Sequence, residues 1–470
     1  MLFKHGTWCS SADLMTRRLF LILAACVSFA CAQIPQANNS FLDDLAHRTF
    51  RWFWETPNPL TRLTPDRWPN RTFSSIAAVG FGLTSYGIGV ERGYILRDSA
   101  AHRVLHILRL LYNLPQGPDA TGTAGHKGFY YHFVREDSGL RFDQHVELST
   151  IDTGLLLAGA LFCQSYFDAD TPTEHAIRAY ADSMYRRIDW TWFQHDSPPL
   201  LNMSWTPERG YDRSLWQGYN EAMILYVLAI GSPTHPITPE GWKKWTETYV
   251  YVPYMGSTFV SFGPLFGHQY SHCWIDFRGI QDSFMRSRGH DYFENSRRAT
   301  YSQQAYAKEN PRKYRDYSES IWGLTACDGP ANVTLTLDGI RRRFEGYAAR
   351  GASADWTNDD GTIAPTAAGG SIMFTPEISI PALKAIKQRY GSKLFREYGF
   401  ADAFNPTYVT VATPDGWFDP DYLGIDQGPI LIAIENQRSE LIWKTMRKNP
   451  YIQSGLRRAG FTGGWLDENK

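Results

Sequence analysis

Cysteine is scarce and poorly placed for cross-linking. Of six in the chain, Cys9, Cys26 and Cys31 fall in or at the end of an N-terminal leader, leaving Cys163, Cys273 and Cys327. An odd, scattered set makes no disulfide framework and no metal-ligand spacing, so stability has to come from a core. Net charge is almost absent, at −1 over 470 residues. That excludes a general attraction to nucleic acid or to an anionic membrane, which needs a basic surface. Beyond the leader no apolar run is long enough to span a bilayer. Strand signals are few; residues 129–134 and 409–412 are the best, and both are short enough to be hairpin pieces. No repeat of fixed length is visible.

What is abundant is apolar and aromatic: 43% of the residues are hydrophobic, with 16 Trp, 26 Tyr and 27 Phe. Such a chain buries a large core and gives no sign of disorder. The aromatics serve two readings, core filler or surfaces that stack on the apolar faces of sugar rings.

The leader has a recognisable chemistry. Arg17 and Arg18 precede the apolar run Leu19-Phe20-Leu21-Ile22-Leu23-Ala24-Ala25-Cys26-Val27, which ends in small residues around Ala30-Cys31-Ala32. A basic start, a short apolar segment and a small-residue site make a secretory signal peptide over residues 1–32, with Met15 as an alternative start. Cleavage after Ala32 fits, and acylation of Cys31 as a lipoprotein anchor is the alternative. The protein is therefore expected outside the cytoplasm: periplasmic, held at the outer membrane, or secreted. Residues 33–40 read as a polar linker and 41–470 as one domain.

Helical patterns then recur along the chain. Residues 41–54, 100–112 and 173–190 carry one apolar face and 239–249 are mixed, whereas 76–90, 149–167 and 222–230 are apolar nearly all round. Residues 376–390 pass from apolar to basic, and the apolar stretch 429–434 leads into the charged stretch 435–447. Helices apolar on every face are buried, and those with a polar face lie outside. The alternation predicts an all-α fold, an (α/α)6 barrel (a six-hairpin toroid) with short β-hairpins in its loops. An irregular helical array is the alternative.

Three acids stand at the entrances of the most apolar helices: Asp152 before Leu155-Leu156-Leu157, Glu221 before Met223-Ile224-Leu225, and Asp426 before Ile430-Leu431-Ile432. Each alone reads as a helix cap that complements the dipole. Together, on parallel inner helices, they converge on one rim. Glycoside hydrolysis needs two carboxyl groups there, one protonated to assist the leaving oxygen and one ionised to activate water. Burial and mutual repulsion separate the two roles. Aromatic loops precede the acids. Trp205, Arg209, Tyr211, Trp216 and Tyr219 lead to Glu221, and Trp417 precedes Asp426. Such a loop forms either a sugar-binding groove or a plug of the barrel end. Residues 266–278 read as a further loop, with His268, His272, Trp274 and Arg278 as sugar-binding candidates. No second ligand cluster completes a tetrahedral set around His268, His272 and Cys273, so neither metal nor cofactor is expected. Asn358-Asp359-Asp360-Gly361 lacks the later ligands of a calcium loop and reads as a turn.

Residues 147–161, 205–225 and 268–278, with Trp417-Phe418-Asp419-Pro420 through Asp426-Gln427-Gly428-Pro429, resemble the bacterial glucoamylase-like family that contains the endo-β-1,2-glucanases. The resemblance spans about residues 40 to 465. It implies an (α/α)6 barrel, no metal, and hydrolysis of β-1,2-glucan to sophoro-oligosaccharides with inversion. Glu221 resembles the family's acid at an inner-helix start and is assigned as general acid. Asp426 and Asp152 compete for the base, and Asp143 and Glu147 are weaker candidates that fall to substrate binding. Transglycosylation and a non-catalytic surface glycan-binding protein are the alternatives; a lyase would require a basic cleft.

Overall fold

Sequence runs that are apolar on every face become the buried helices, and those with one polar face cover them. A computed structural model describes residues 36–468. The signal segment, Met15 and Cys31 lie outside the described residues. Among the described residues, α1 (Gln36–Glu55) is followed by α2 (Ile76–Glu91), α3 (Arg97–Asn113), α4 (Thr150–Tyr166) and α5 (Pro172–Arg186). Next come α6 (Met223–Gly231), α7 (Glu240–Thr246), α8 (Phe266–Trp274), α9 (Ser283–Arg288) and α10 (Tyr292–Glu309). The last third contributes α11 (Pro365–Gly369), α12 (Pro376–Tyr390), α13 (Gly424–Ser439), α14 (Leu441–Met446), α15 (Pro450–Arg458) and α16 (Gly464–Glu468). None is long and apolar enough to cross a membrane. Phe41–Lys470 forms one compact unit.

Five helices close a circuit. α2 packs on α4, α4 on α6, α6 on α8, α8 on α13 and α13 back on α2, with α11 against α13. The tightest of these contacts, α2 on α4, brings backbone to backbone. A Cβ on Gly80 would meet the Leu155 carbonyl oxygen at 2.3 Å, and one on Gly159 would meet the Gly80 carbonyl oxygen at 2.1 Å. α3 and α5 cover this pair from outside, and α15 covers α6. α14 lies across α4 and α8, and its buried Trp443 donates to the His272 carbonyl near the C-terminus of α8 at 2.6 Å. That closes one end of the circuit.

The other end is held by two- and three-residue strands that precede the inner helices. Ser74–Ser75, before α2, pairs with Phe133–Val134. Leu148–Ser149, before α4, pairs with Ser204–Thr206. Tyr422–Leu423, before α13, pairs with Arg67–Trp68.

Three expectations change and one is extended. Residues 36–40 are the first turn of α1 rather than a linker. Residues 409–412 form no strand; Thr410 and Thr413 hydrogen-bond to each other in a turn, and Val411 is fully exposed. Residues 358–361 do turn, but as a buried anchor, with Asp359 accepting from Tyr306 and Tyr317 at 2.9 and 2.8 Å. Residues 266–274 are a buried helix, not a loop. Its polar side chains hid the pattern, because each finds a partner inside. Gln269 donates to the Ala367 carbonyl at 2.8 Å, Ser271 to the Glu221 carbonyl at 2.7 Å, and His272 meets Ser296 at 3.2 Å. A satisfied polar group is tolerated in a core.

Candidate active site

Every helix of the closed circuit sends its first turn, or the turn before it, to one cavity of about 440 Å³. Ala77 comes from α2, Asp152 and Leu155 from α4, and Glu221 from the turn before α6. Phe266 and Tyr270 come from α8 and Ile425 from α13. The N-termini therefore share one end, as parallel inner helices require. Loops complete the wall with Asp66, Arg67, His132, Phe133, Ala326 and Tyr347.

Asp152 is positioned by its own helix start. The Ser149 hydroxyl caps α4 by accepting the Asp152 amide at 3.2 Å and also bonds the Asp152 carboxylate. His132 sits between two acids, with Nδ1 2.8 Å from Glu147 and Nε2 3.4 Å from Asp152. Burial opposes its charge, yet Asp152 and Glu147 outweigh burial and push the imidazole up to about 9. Burial raises Asp152, and although His132 and Ser149 draw it part of the way back it stays above its ordinary value. Glu147 ends below the usual carboxylate range: burial acts against it, and the His132 hydrogen bond prevails.

Glu221 has no such cation. Its carbonyl accepts from Ser271, which fixes the backbone, and its carboxyl opens on the cavity. Burial first, then the charge of Asp152, push it up to about 7. Two carboxyl groups thus face one cavity in unlike surroundings, one beside an imidazolium and one without a counter-ion. That is the pattern that separates an acid from a base.

Asp426 stands behind the wall. Its neighbours Leu423 and Ile425 line the cavity, while its carboxyl lies 3% exposed against Asp402. Neither Asp402 Oδ1 nor Asp426 Oδ2 meets a hydrogen-bond donor. Burial and the Asp426 charge hold Asp402 well above the carboxylate range, and burial pushes Asp426 up to about 7. Asp328, Asp402 and Asp419 each bring an oxygen within 4.8 Å of the others, the one grouping among the described residues with the geometry to hold a cation. Charge is already offset there: Arg67 lies 2.7 Å from Asp328, and Asp419 is pushed by burial and Asp402 up to about 9.

The remaining sequence candidates go elsewhere. His268 and His272 are fully buried, and burial pushes them down to about 4 and about 3, so both are neutral. Tyr219 packs against His268 at a tilt in the core. Trp216 donates to Thr150 and Trp274 to Thr84, both at 2.9 Å, and both are buried. These rings are packing. Arg278 follows the C-terminus of α8, away from the cavity, clamped by Asp276 and Glu440 at 2.8 Å each. Trp417 pairs with Asn405 and packs on Cys327, Ala364 and Ala403. Asp143 is exposed and caps the His145 amide. Trp205 packs on His126 and Trp192, and Arg209 and Tyr211 border separate surface hollows. Glu147 reaches the cavity only through His132. Asp66, Arg67, His132, Tyr270, Tyr347 and Asp402 had not been singled out as site residues. His132 lies within the predicted strand 129–134 and Tyr270 in the expected loop 266–278, so proximity is their one signal.

A family model described as putative glucoamylase matches residues 213–450. A curated exo β-1,2-glucooligosaccharide sophorohydrolase (non-reducing end) from Parabacteroides distasonis is 30% identical over 458 residues, covering 90% of this chain and 58% of that protein. The chain thus spans little more than half the length of that relative. A solved putative glucoamylase from Bacteroides uniformis aligns with a TM-score of 0.79 at 32% identity, covering 92% of this chain and 100% of the other. The endo-β-1,2-glucanase of Chitinophaga pinensis, solved with sophorotriose and glucose, gives 0.78 at 27% identity, covering 91% and 99%.

Proposed function

Because the chain belongs to the glucoamylase-like family, we propose that it is a glycoside hydrolase that cleaves β-1,2-glucan into sophoro-oligosaccharides by inverting acid–base catalysis. The observation that carries this reading is the placement of Glu221 and Asp152 on one cavity, both raised by burial but only Asp152 with a cation, His132, beside it. Glu221, pushed up to about 7, keeps a proton to give to the glycosidic oxygen as the bond to the anomeric carbon breaks. Asp152, facing the His132 imidazolium, takes a proton from the water that attacks that carbon from the other face. Inverting pairs stand about 6.5–9.5 Å apart to admit this water. Asp426, set behind the wall and pushed by burial up to about 7, is the poorer base. Asp66 and Arg67 offer an acceptor and donors for sugar hydroxyls beside it.

The closed circuit of α2, α4, α6, α8 and α13, with α11 against α13, supports an (α/α)6 barrel in which α11 is the sixth inner helix. The run Leu19 to Val27 after Arg17 and Arg18 supports export, which places the enzyme where glucan chains from outside reach it. Incubation with a panel of linear β-glucans of different linkage, followed by chromatography, tests the activity. Sophoro-oligosaccharides from β-1,2-glucan are expected. Products longer than the substrate would reassign it as a transglycosylase, and bound but uncut glucan would make it a binding protein.

A further inference from the structure

The cavity wall carries one large side chain that packing does not explain. Tyr347 lines the cavity yet is 55% exposed, while its lining neighbours Tyr270 and Leu423 are buried. Its phenol lies within the electrostatic reach of Asp426, Asp402 and Asp66. An exposed aromatic on a mobile loop would mean little, but this loop is fixed. Residues 345–347 join the strand Ile340–Phe344 to Ala348–Ala349, and the latter pairs with Ala326–Cys327 at the cavity wall. Arg350, fully buried, donates to the carbonyls of Glu345 and Gly346 at 2.9 Å each and to that of Cys327 at 2.8 Å. Asp360 holds the Arg350 guanidinium at 2.8 Å and accepts the Glu345 amide at 3.0 Å. The Gly346 amide donates to Asn332 at 3.0 Å. A buried ion pair and five hydrogen bonds fix this one short turn, and the turn ends in Tyr347.

We propose that Tyr347 is the stacking platform of a sugar subsite, taking the C–H face of the pyranose unit that lies beside the Asp402–Asp426 pair. The ligand class, a neutral glucan, rests on the function proposed above. A ring held in place before binding loses little conformational freedom when the sugar arrives, so its contact goes into affinity. The flat ring supplies apolar area for the sugar's axial hydrogens, and Asp66 on the same wall accepts from its hydroxyls. The phenolic hydroxyl is not required for stacking.

Titration of Glu221→Gln protein with β-1,2-gluco-oligosaccharides, with and without Tyr347→Ala or Tyr347→Phe, tests this directly. Tyr347→Ala is expected to weaken binding about tenfold, equivalent to about 1.4 kcal/mol. In the Glu221-intact enzyme the same substitution raises KM and leaves kcat near wild type. Tyr347→Phe should bind as the parent does, and melting temperatures should not move, because the ring is exposed. Unchanged affinity in Tyr347→Ala would overturn the stacking role while leaving the hydrolase reading intact. A wild-type protein that cuts no β-glucan would overturn the hydrolase reading, and titration of that protein would still decide the subsite.

Discussion

Replacing Glu221 by Gln keeps the shape of the side chain and removes its proton. In the native protein, burial first and then Asp152 move this carboxyl from 4.5 up to about 7. The difference of about 2.5 units, at about 1.36 kcal/mol each, sets an upper figure of about 3.4 kcal/mol. Water in the cavity reduces it to about 1–3 kcal/mol. The folded state binds this proton more tightly than the unfolded chain does. Stability is therefore present below about pH 4.5, is lost as pH climbs to about 7, and stays lost above. Gln carries no such loss, so Glu221→Gln should melt above wild type at about pH 8 and level with it at about pH 4. Activity follows the opposite course. The acid works only while protonated, so wild-type kcat/KM should fall as pH passes about 7, and the variant should lose about 10²–10⁴-fold on β-1,2-gluco-oligosaccharides. On an aryl sophoroside, whose phenolate departs without protonation, the loss should be much smaller. Reducing-sugar release across the pH range, with melts at both ends, reads all of this. A variant with near wild-type turnover on the glucan, or with no gain in stability at alkaline pH, would refute the assignment.

His132→Gln removes the cation beside Asp152, so the acidic limb of the kcat/KM profile should move to higher pH. The raised imidazole of His132 contributes stability present below about pH 6.5 and lost as pH rises through about 9, so the variant's melting deficit should shrink over that interval. Asp402→Asn mimics the protonated partner of Asp426. Asp402 is raised in the fold, which costs stability as pH rises through the usual carboxylate range, and thermal melts of the variant should vary less between about pH 5 and about pH 8. Gly80→Ala places a methyl 2.3 Å from the Leu155 carbonyl oxygen, and denaturant unfolding should report a loss of about 1–3 kcal/mol. Arg350→Met leaves Asp360 buried without its partner and should cost about 3–5 kcal/mol in the same assay.

Much of this arrangement is legible along the chain because it is local. The runs behind α2, α4 and α6 are apolar on all faces, and an acid at each of two such entrances, Asp152 and Glu221, predicts a shared rim. The α8 helix is not legible, since His268, Gln269, Ser271 and His272 break its pattern and find partners outside the helix, all but that of His268 distant in sequence. For the same reason Trp216, Tyr219 and Trp274 pass for a groove although they are core; an aromatic run looks alike in both. The cavity wall is the harder case. Asp66, His132 and Tyr347 come from three separate loops and meet only when strands such as Arg67–Trp68 pair with Tyr422–Leu423 across the fold. Nothing near Asp426 in sequence announces that Asp402 lies against it.

The central claim is that Glu221 and Asp152 work on one glycosidic bond. A crystal structure of Glu221→Gln with a β-1,2-gluco-oligosaccharide tests it most directly. The account predicts a glycosidic oxygen within about 3.2 Å of the residue 221 amide, with a water between Asp152 and the far face of the same sugar. An oligosaccharide seated outside the cavity, or crossing it with residue 221 remote from every glycosidic oxygen, would contradict it.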